Sequence, residues 1–600
     1  MKTSLISEFA FFIKDIKSSK TSRWLMCAIL VGLAAGIGAI VLYALLDITS
    51  TILLNHIAGF PITHPTNEPP LIKEVSQPFN RIYFIVIAAS GGLLSGLIAN
   101  FLSKETAGGG TGTVIGQYHN KKSIALRVPF VKLVVSVLSL GTGAAGGREG
   151  PAAQIGAGFG YQIGKLFKLS DKEKRILMVC GMAAGIGAIF RSPMGAAIYA
   201  VEVLYQDLEF EYEALLPASI SSIVAYSLFS AKFGWVHMFS IPHMVFSNPV
   251  ELIPYTLLGI LCAAAGIIFI NIFNTTSDIF KKISYPLYIK TAIGGLVIGL
   301  FGAILPNSAG MGYGILQNAF LSTTSFYLMF AIGIVRMFTT SITLGSGNSA
   351  GLFAPMLIIG AALGSGFGGY IYHLAPVLVS NPGAFAVVGM AGFFAAAAKT
   401  PLSVIILVAE ITGNYELIVP SMWVVSISVI LSSRFSIERS QAKNRALSPV
   451  HEYEYMHDVL ESIKVKDLMI KDFVTVEQSR SLKDIYAILS ESKQTDLLVV
   501  DEDNRLSGII TLQVLKTILG ENEMSNFLVA RDVANTNLIT THSEENLNTL
   551  MHKIGFKEIN TVPIVDDRDS RKIIGVIRRK DVIKAYDRAR GEIENIKRSQ

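Results

Sequence analysis

Leu140-Gly-Thr-Gly-Ala-Ala-Gly-Gly-Arg-Glu-Gly-Pro151 lies over Leu344-Gly-Ser-Gly-Asn-Ser-Ala-Gly-Leu-Phe-Ala-Pro355 without a gap, at an offset of 204 residues. The leucine, three glycines and the proline coincide, and Thr142 falls opposite Ser346. A second set follows at an offset of 208: Met182-Ala183 with Met390-Ala391, Pro193 with Pro401, and Glu202 with Glu410. Two blocks in the same order at nearly the same offset imply an internal duplication. The alternative, chance likeness between glycine-rich apolar segments, does not explain why the proline and the acid keep register.

The surroundings place this duplication in a membrane. The 600 residues are 51% hydrophobic and 16% charged, with a mean hydropathy of +0.49, against about 25% charged in soluble chains. Apolar stretches fill residues 24–445, whereas the last part of the chain has ordinary soluble composition. Segments 24–54, 83–102, 255–280, 287–305 and 414–433 are long enough to span a bilayer. Others are broken by Gly or Pro at 107–113, 141–151, 345–355 and around Pro193 and Pro401. Irregular backbone at membrane depth is tolerated where it is buried in protein or lines a hydrated path. Duplicated halves with helices broken at matching places point to a binding site near the midplane, and so to transport.

Lys2, Lys14, Lys17, Lys20 and Arg23 precede the first apolar run, which places the N-terminus on the cytoplasmic side; the connection 56–82, holding only Lys73 and Arg81, is expected outside. The net charge of +6 is modest and forms no nucleic-acid patch. Cys27, Cys180 and Cys262 each sit in an apolar run and read as buried small hydrophobes rather than a disulfide or metal set.

A helix N-terminus presents unpaired N–H groups and about half a positive charge, so it binds an anion without a cationic side chain. Gly108–Thr111, Gly147–Pro151 and Gly351–Pro355 each place glycine ahead of a helix start, the last two with proline in the first turn. Converging, they would hold a dehydrated halide weakly enough to let it go. Glu149, beside such a start, can take the anion's place: ionised it blocks, protonated or swung aside it admits the anion, which makes it a gate and a proton carrier. Pairing of Glu149 with Arg148 is the plainer alternative; otherwise Arg148 serves architecture or the local field. Phe353 occupies the position of Glu149 in the second copy, as a pore-shaping ring or as a core aromatic. Glu202 and Glu410 are intramembrane carboxylates, functional or interhelical caps.

The soluble tail carries its own repeat of about 65 residues: Lys466-Asp-Leu and Arg531-Asp-Val, Val500-Asp501 and Val565-Asp566, Gly508-Ile-Ile and Gly575-Val-Ile. Strand-like runs 497–500 and 562–565 alternate with amphipathic runs 482–489 and 545–554, an α/β pattern. The chain is therefore divided into a membrane domain 1–445, a linker 446–462, and repeats at 463–520 and 528–590.

Gly147-Arg148-Glu149-Gly150-Pro151 resembles the GREGP signature of the CLC chloride channels and transporters, and Gly347–Pro355 resembles their GNSGGxFxP segment. Gly108–Thr111 resembles their GSGxP segment poorly, and the tail resembles a tandem pair of CBS domains. The resemblance implies an all-α polytopic membrane protein with an inverted repeat of tilted, broken helices, followed by α/β CBS domains. It implies a homodimer with one pore per subunit in a bacterial inner membrane, the CBS pair cytoplasmic. Glu149 becomes the gating glutamate; Gly109, Gly110, Gly147, Gly150, Gly351, Leu352, Phe353 and Ala354 become the anion-binding backbone. The family's serine falls at Gly109, or else at Gly110 or Thr111. Its pore tyrosine falls near Glu438. Its internal proton-relay glutamate, the residue after Glu202, is Val203. That last departure favours a channel-like or weakly proton-coupled chloride path, with chloride/proton antiport as the alternative and a CBS-regulated cation transporter as a remote one. No cofactor is required. An adenine nucleotide on the CBS pair would use Thr511 and Asp581, but each copy holds half the pattern, with Val514 and Arg578 in the other places; a purely structural module is the competing reading. No nucleophile–base or metal-ligand constellation marks an enzyme.

Overall fold

The computed structural model describes residues 20–451, 460–491, 496–519, 528–555 and 559–598. Lys2, Lys14, Lys17, much of the expected linker and the connection between the tail repeats lie outside the described residues. The chain divides into two compact units, Met1–Arg445 and Ala446–Gln600.

The first unit is helical. It runs α1 (Lys20–Ser50), α2 (Arg81–Leu102), α3 (Gly110–His119), α4 (Arg127–Leu140), α5 (Glu149–Leu166), α6 (Asp171–Phe190), α7 (Pro193–Glu202) and α8 (Tyr212–Phe233). It continues through α9 (Leu252–Lys282), α10 (Leu287–Ile304), α11 (Tyr313–Phe320), α12 (Phe326–Gly345), α13 (Phe353–Leu374), α14 (Pro382–Ala398), α15 (Pro401–Thr412) and α16 (Ile418–Leu431). Starts follow local chemistry. Ser170 and Glu173 form a capping box on α6, and Pro193, Pro382 and Pro401 occupy first turns, where a missing N–H costs nothing.

Among the described residues seven helices are long and apolar enough to cross a membrane: 23–57, 81–102, 212–233, 249–282, 287–304, 326–345 and 353–374. The span expected over 414–433 is not one of them. Its helix has 14 residues, about 21 Å at 1.5 Å per residue, because Gly413 turns left-handed (φ 68°) and Asn414 accepts the N–H groups of Glu416 and Leu417 (3.0 and 3.3 Å), so regular helix starts late. The crossing helices 212–233, 326–345 and 353–374 are not among the five spans read from the sequence; the first carries Glu213 and Pro217 near its start, which disguise it.

The duplication is visible in backbone detail. Gly147 and Gly351, equivalent positions, exchange both hydrogen bonds of an antiparallel bridge (2.9 and 2.7 Å). Equivalent residues can pair this way only if the two copies run in opposite directions there, as inverted halves do. Arg191 and Lys399, also equivalent, both adopt left-handed backbone (φ 54° and 61°) between consecutive helices. Glu202 accepts the N–H groups of Leu402 and Ser403 (3.0 and 2.8 Å). Glu410 accepts those of Met194 and Gly195 (3.3 and 2.8 Å) and the Ser192 hydroxyl (2.5 Å). Each half thus caps a helix start in the other.

In the second unit β1 (Thr475–Glu477), β2 (Asp496–Val500) and β3 (Leu506–Thr511) form one sheet, and β4 (Thr541–His542), β5 (Thr561–Val565) and β6 (Ile573–Arg578) another. Both place a parallel pair beside an antiparallel pair, with an irregularity at Val499/Val500 and at Ile564/Val565. The leading segments are exchanged. Val465 lies in the core of the second repeat and its N–H reaches Glu545 (2.8 Å); Ala530 lies in the core of the first and its N–H reaches Arg480 (2.9 Å). Leu498, Leu506, Val565 and Val576 join the sheets in a shared cluster, so neither repeat is complete alone.

Candidate functional site

Three helix starts meet where the halves cross. A Cβ on Gly110, at the start of α3, would collide with the Gly150 carbonyl oxygen; a Cβ on Gly150, at the start of α5, would lie 2.7 Å from the Gly351 Cα. Only glycine permits this approach, and the Gly147–Gly351 bridge brings in the start of α13. Gly109 precedes α3 in extended backbone (φ −70°, ψ 136°) with no side-chain cap. Leu352 precedes α13 in the same role, again uncapped.

Glu149 sits at this meeting point, fully buried. Its carboxylate accepts from the Tyr313 hydroxyl and, at 3.4 Å, from the Ala354 N–H at the start of α13. A carboxylate oxygen therefore rests against the amide that a free anion would approach. Arg148 is not its partner. The guanidinium instead donates to both oxygens of Glu68 (2.9 and 2.7 Å), both side chains being buried, and lies over the rings of Tyr43 and Tyr313 (4.9 and 4.7 Å).

The Phe353 ring is packed by Phe190, Tyr199 and Phe394 (centroids 4.8, 5.0 and 4.4 Å), so it acts as core while its successor's N–H faces Glu149. The Glu202 oxygens are taken by the start of α15, and Val203 is buried, its carbonyl accepting from Gln441 (2.9 Å). Glu438 lines a cavity of about 260 Å³ with Gly109, Gly112, Leu344 and Leu352.

Two cavities flank the site. One is walled by Tyr43, Asp47, His64, Glu68, Arg148 and Tyr313, the other by the Glu438 group. They involve loops at the two ends of α2. α2 carries the chain from the 58–80 loop, which holds His64 and Glu68, to the 103–109 loop, which holds Ala107 and Gly109, a run of about 33 Å. Glu149 lies between.

Sequence reasoning missed Glu68, Tyr313, Lys132 and Arg336. Tyr313 touches Glu149 directly; the other three hold the loops and side chains around it. The Lys132 ammonium donates to the Thr106 and Gly108 carbonyls (3.0 and 2.8 Å). Arg336 donates to the carbonyls of Asn307, Ala309, Gly310 and Met311 (3.2, 3.1, 2.6 and 2.9 Å), knitting the loop that presents Tyr313. For Lys132 and Arg336 the available signal was a charge inside an apolar run, which names no partner; Glu68, in a polar connection, and Tyr313, an uncharged aromatic, gave none.

In the tail, the Thr511 hydroxyl accepts the Val514 N–H (3.4 Å). Asp581 Oδ2 is buried without a partner among the described residues, which fits one ribose hydroxyl; position 514 in the other copy offers no such acceptor.

The chain matches the family described as Voltage gated chloride channel over residues 91–433, and CBS domains over 465–520 and 530–588. It is 32% identical over 348 residues to the H(+)/Cl(-) exchange transporter ClcA of Yersinia pestis, covering 56% of this chain and 72% of that one. It is 25% identical over 514 residues to Chloride channel protein CLC-f of Arabidopsis thaliana, 75% of this chain but only 64% of the plant protein's length. The solved structure of a slow cyanobacterial Cl-/H+ antiporter shares the fold at 24% identity and a TM-score of 0.61, over 68% of this chain and 94% of that one. A eukaryotic CLC transporter matches at 17% identity and a TM-score of 0.55, over 93% and 98%. The inverted halves, the crossing of glycine-led helix starts and the family match agree: this is an integral, multi-pass membrane protein of the CLC anion-transport family, bearing a C-terminal pair of CBS domains.

Proposed function

We propose that the protein exchanges chloride for protons, with Glu149 as the gate. One observation carries this reading: the Glu149 carboxylate lies against the α13 amide at the junction of the halves. An anion arriving there competes with the carboxylate for the same N–H groups. The displaced carboxylate is most easily accommodated in its protonated form, since an unpaired buried charge is costly. Anion binding and protonation then favour each other, and alternation of the two moves chloride and protons in opposite senses. Several relatives are H(+)/Cl(-) exchange transporters, which supports this over the passive conduction that Val203 favours. The backbone set Gly109, Gly110, Gly147, Gly150, Gly351, Leu352 and Ala354 is proposed to line the anion's path.

The 58–80 face is taken as external and the 103–109 face as cytoplasmic, in keeping with the lysines at the N-terminus; bacterial relatives support a bacterial membrane. Two subunits with separate paths, and an adenosine nucleotide held partly by Asp581, belong to the same proposal. The deciding measurement is the reversal potential in planar bilayers or proteoliposomes under an imposed pH gradient. A shift with the gradient that Glu149→Gln abolishes is expected. A reversal potential set by chloride alone in the wild type would refute exchange.

A further inference from the structure

A carboxylate without a partner lines the vestibule on the 103–109 face. The Glu438 N–H donates to the Ser436 hydroxyl (3.3 Å), yet among the described residues no donor reaches the Glu438 carboxylate. That carboxylate presses against the first turn of α3, so closely that a Cβ on Gly112 would collide with Oε2. Among the described residues no cation pairs with it. Arg439, the next residue, is turned to Asp278 by two bonds (2.8 and 2.9 Å), and Lys132 is held by the Thr106 and Gly108 carbonyls. The remaining wall carries no charge: Phe273, Leu344 and Leu352 are apolar, and Thr113 and Ser440 bring hydroxyls.

An ionised carboxylate at the mouth of an anion path repels the very ion that must pass. It is compatible with the path if it takes up a proton there. Its position suits that task. Tyr199 lies within electrostatic reach of both Glu438 and Glu149, with its hydroxyl beside that of Thr111. The Tyr199 ring packs on Phe353 (5.0 Å), directly before the amide that faces Glu149. The alternative route is closed in this chain, since Glu202 is fully engaged as a cap and Val203 carries no proton.

We propose that Glu438 is the proton-transfer carboxylate at the cytoplasmic mouth, exchanging protons between water in that cavity and Glu149 through the Tyr199 and Thr111 hydroxyls. This rests on the exchange reading above. In the inward-to-outward step, hydronium loses a proton to the Glu438 carboxylate, forming its O–H bond. Glu438 then gives that proton to a hydroxyl, which releases its own along the pair, and the last O–H bond forms on Glu149. Every hydroxyl is regenerated and no charge is left behind on the pair.

The test reconstitutes the full chain in proteoliposomes and records chloride and proton movement together, the ratio of the two being the readout rather than the chloride rate. Glu438→Gln is expected to lower the proton-to-chloride ratio about tenfold or more, as loss of a positioned proton-transfer group should, while Glu438→Asp keeps most of it. Tyr199→Phe should lower the ratio as well, and serves if Glu438→Gln does not insert. A coupled wild type with an equally coupled Glu438→Gln, or with an unchanged Tyr199→Phe when that is the variant available, overturns the role of Glu438 and leaves exchange standing. A wild type that moves no protons overturns both.

Discussion

Replacing Tyr313 by phenylalanine deletes one hydroxyl and keeps the ring over which Arg148 lies. That hydroxyl donates to Glu149, and the carboxylate's other named donor is the Ala354 amide at a long 3.4 Å. A hydrogen bond to a charged group contributes about 1.5–3 kcal/mol. The bond is made to the ionised, blocking form, so its loss weakens that form relative to the protonated one. At about 1.4 kcal/mol per tenfold, the balance moves roughly 10- to 150-fold. Glu149 should then vacate the anion's place at higher pH, and the pH of half-maximal chloride efflux should rise by about 1–2 units. Efflux from proteoliposomes, measured from acid to alkaline pH on wild type and variant, gives this midpoint directly. A midpoint that stays put, or falls, in a variant that still transports would show that Tyr313 does not stabilise the blocking carboxylate.

Glu68→Gln should strand the buried Arg148 charge and cost about 3–5 kcal/mol, seen as a lowered Tm in detergent. The double change Glu68→Leu with Arg148→Met should recover part of it, the buried Arg191 guanidinium, 3.9 Å from Glu68, still losing its carboxylate; a single variant melting like wild type would remove the pair from the account. Gly110→Ala drives a methyl into the Gly150 carbonyl and should abolish flux. Gly109→Ala, whose nearest atom is the movable end of Leu344 at 3.2 Å, should still transport; equal behaviour of the two would contradict the close crossing. In the tail, Lys464 and then Lys466 hold the exposed Glu544 carboxyl down at about 2. Because that value lies below the unfolded carboxyl's, ~4.3, the pair stabilises the exchanged leading segment above that pH, and the stabilisation fades as pH falls toward about 2. Glu544→Gln should flatten this acid limb in a thermal-shift series.

What could be read in advance was what repeats locally. The Gly147 and Gly351 segments are alike because both precede a helix start, and the shared prolines and glutamates mark equivalent turns. The exchange of caps between Glu202 and Glu410 was not legible, because each acid's partner lies 200 residues away in the other copy. The Arg148–Glu68 pair was hidden for the same reason: sequence neighbours advertise Glu149, whereas a charge in an apolar interior takes whichever opposite charge the fold delivers. The 414–433 run failed because hydropathy cannot see that Asn414 caps a helix starting four residues later. The exchanged segments of the CBS pair were invisible too, since a repeat's period does not say which copy's core a leading strand completes.

The buried cations explain why backbone amides can be the anion's partners. Lys132 faces two carbonyls, Arg336 four, and Lys399 those of Ala396 and Ser432 (2.8 and 2.6 Å), while Arg148 faces Glu68. None is aimed at the Glu149 junction. A bare ammonium at the junction would bind chloride too firmly for release, since Coulomb attraction grows as the dielectric falls. Placed behind the loops, the same charges satisfy the carbonyls that broken helices leave unpaired. That frees the chain to turn glycine-led amides toward the path, where partial charges bind an anion and still let it leave. Among the described residues the Tyr313 hydroxyl and the Ala354 amide donate to the Glu149 carboxylate, partial charges that hold it loosely enough for the blocking and proton-carrying role proposed above.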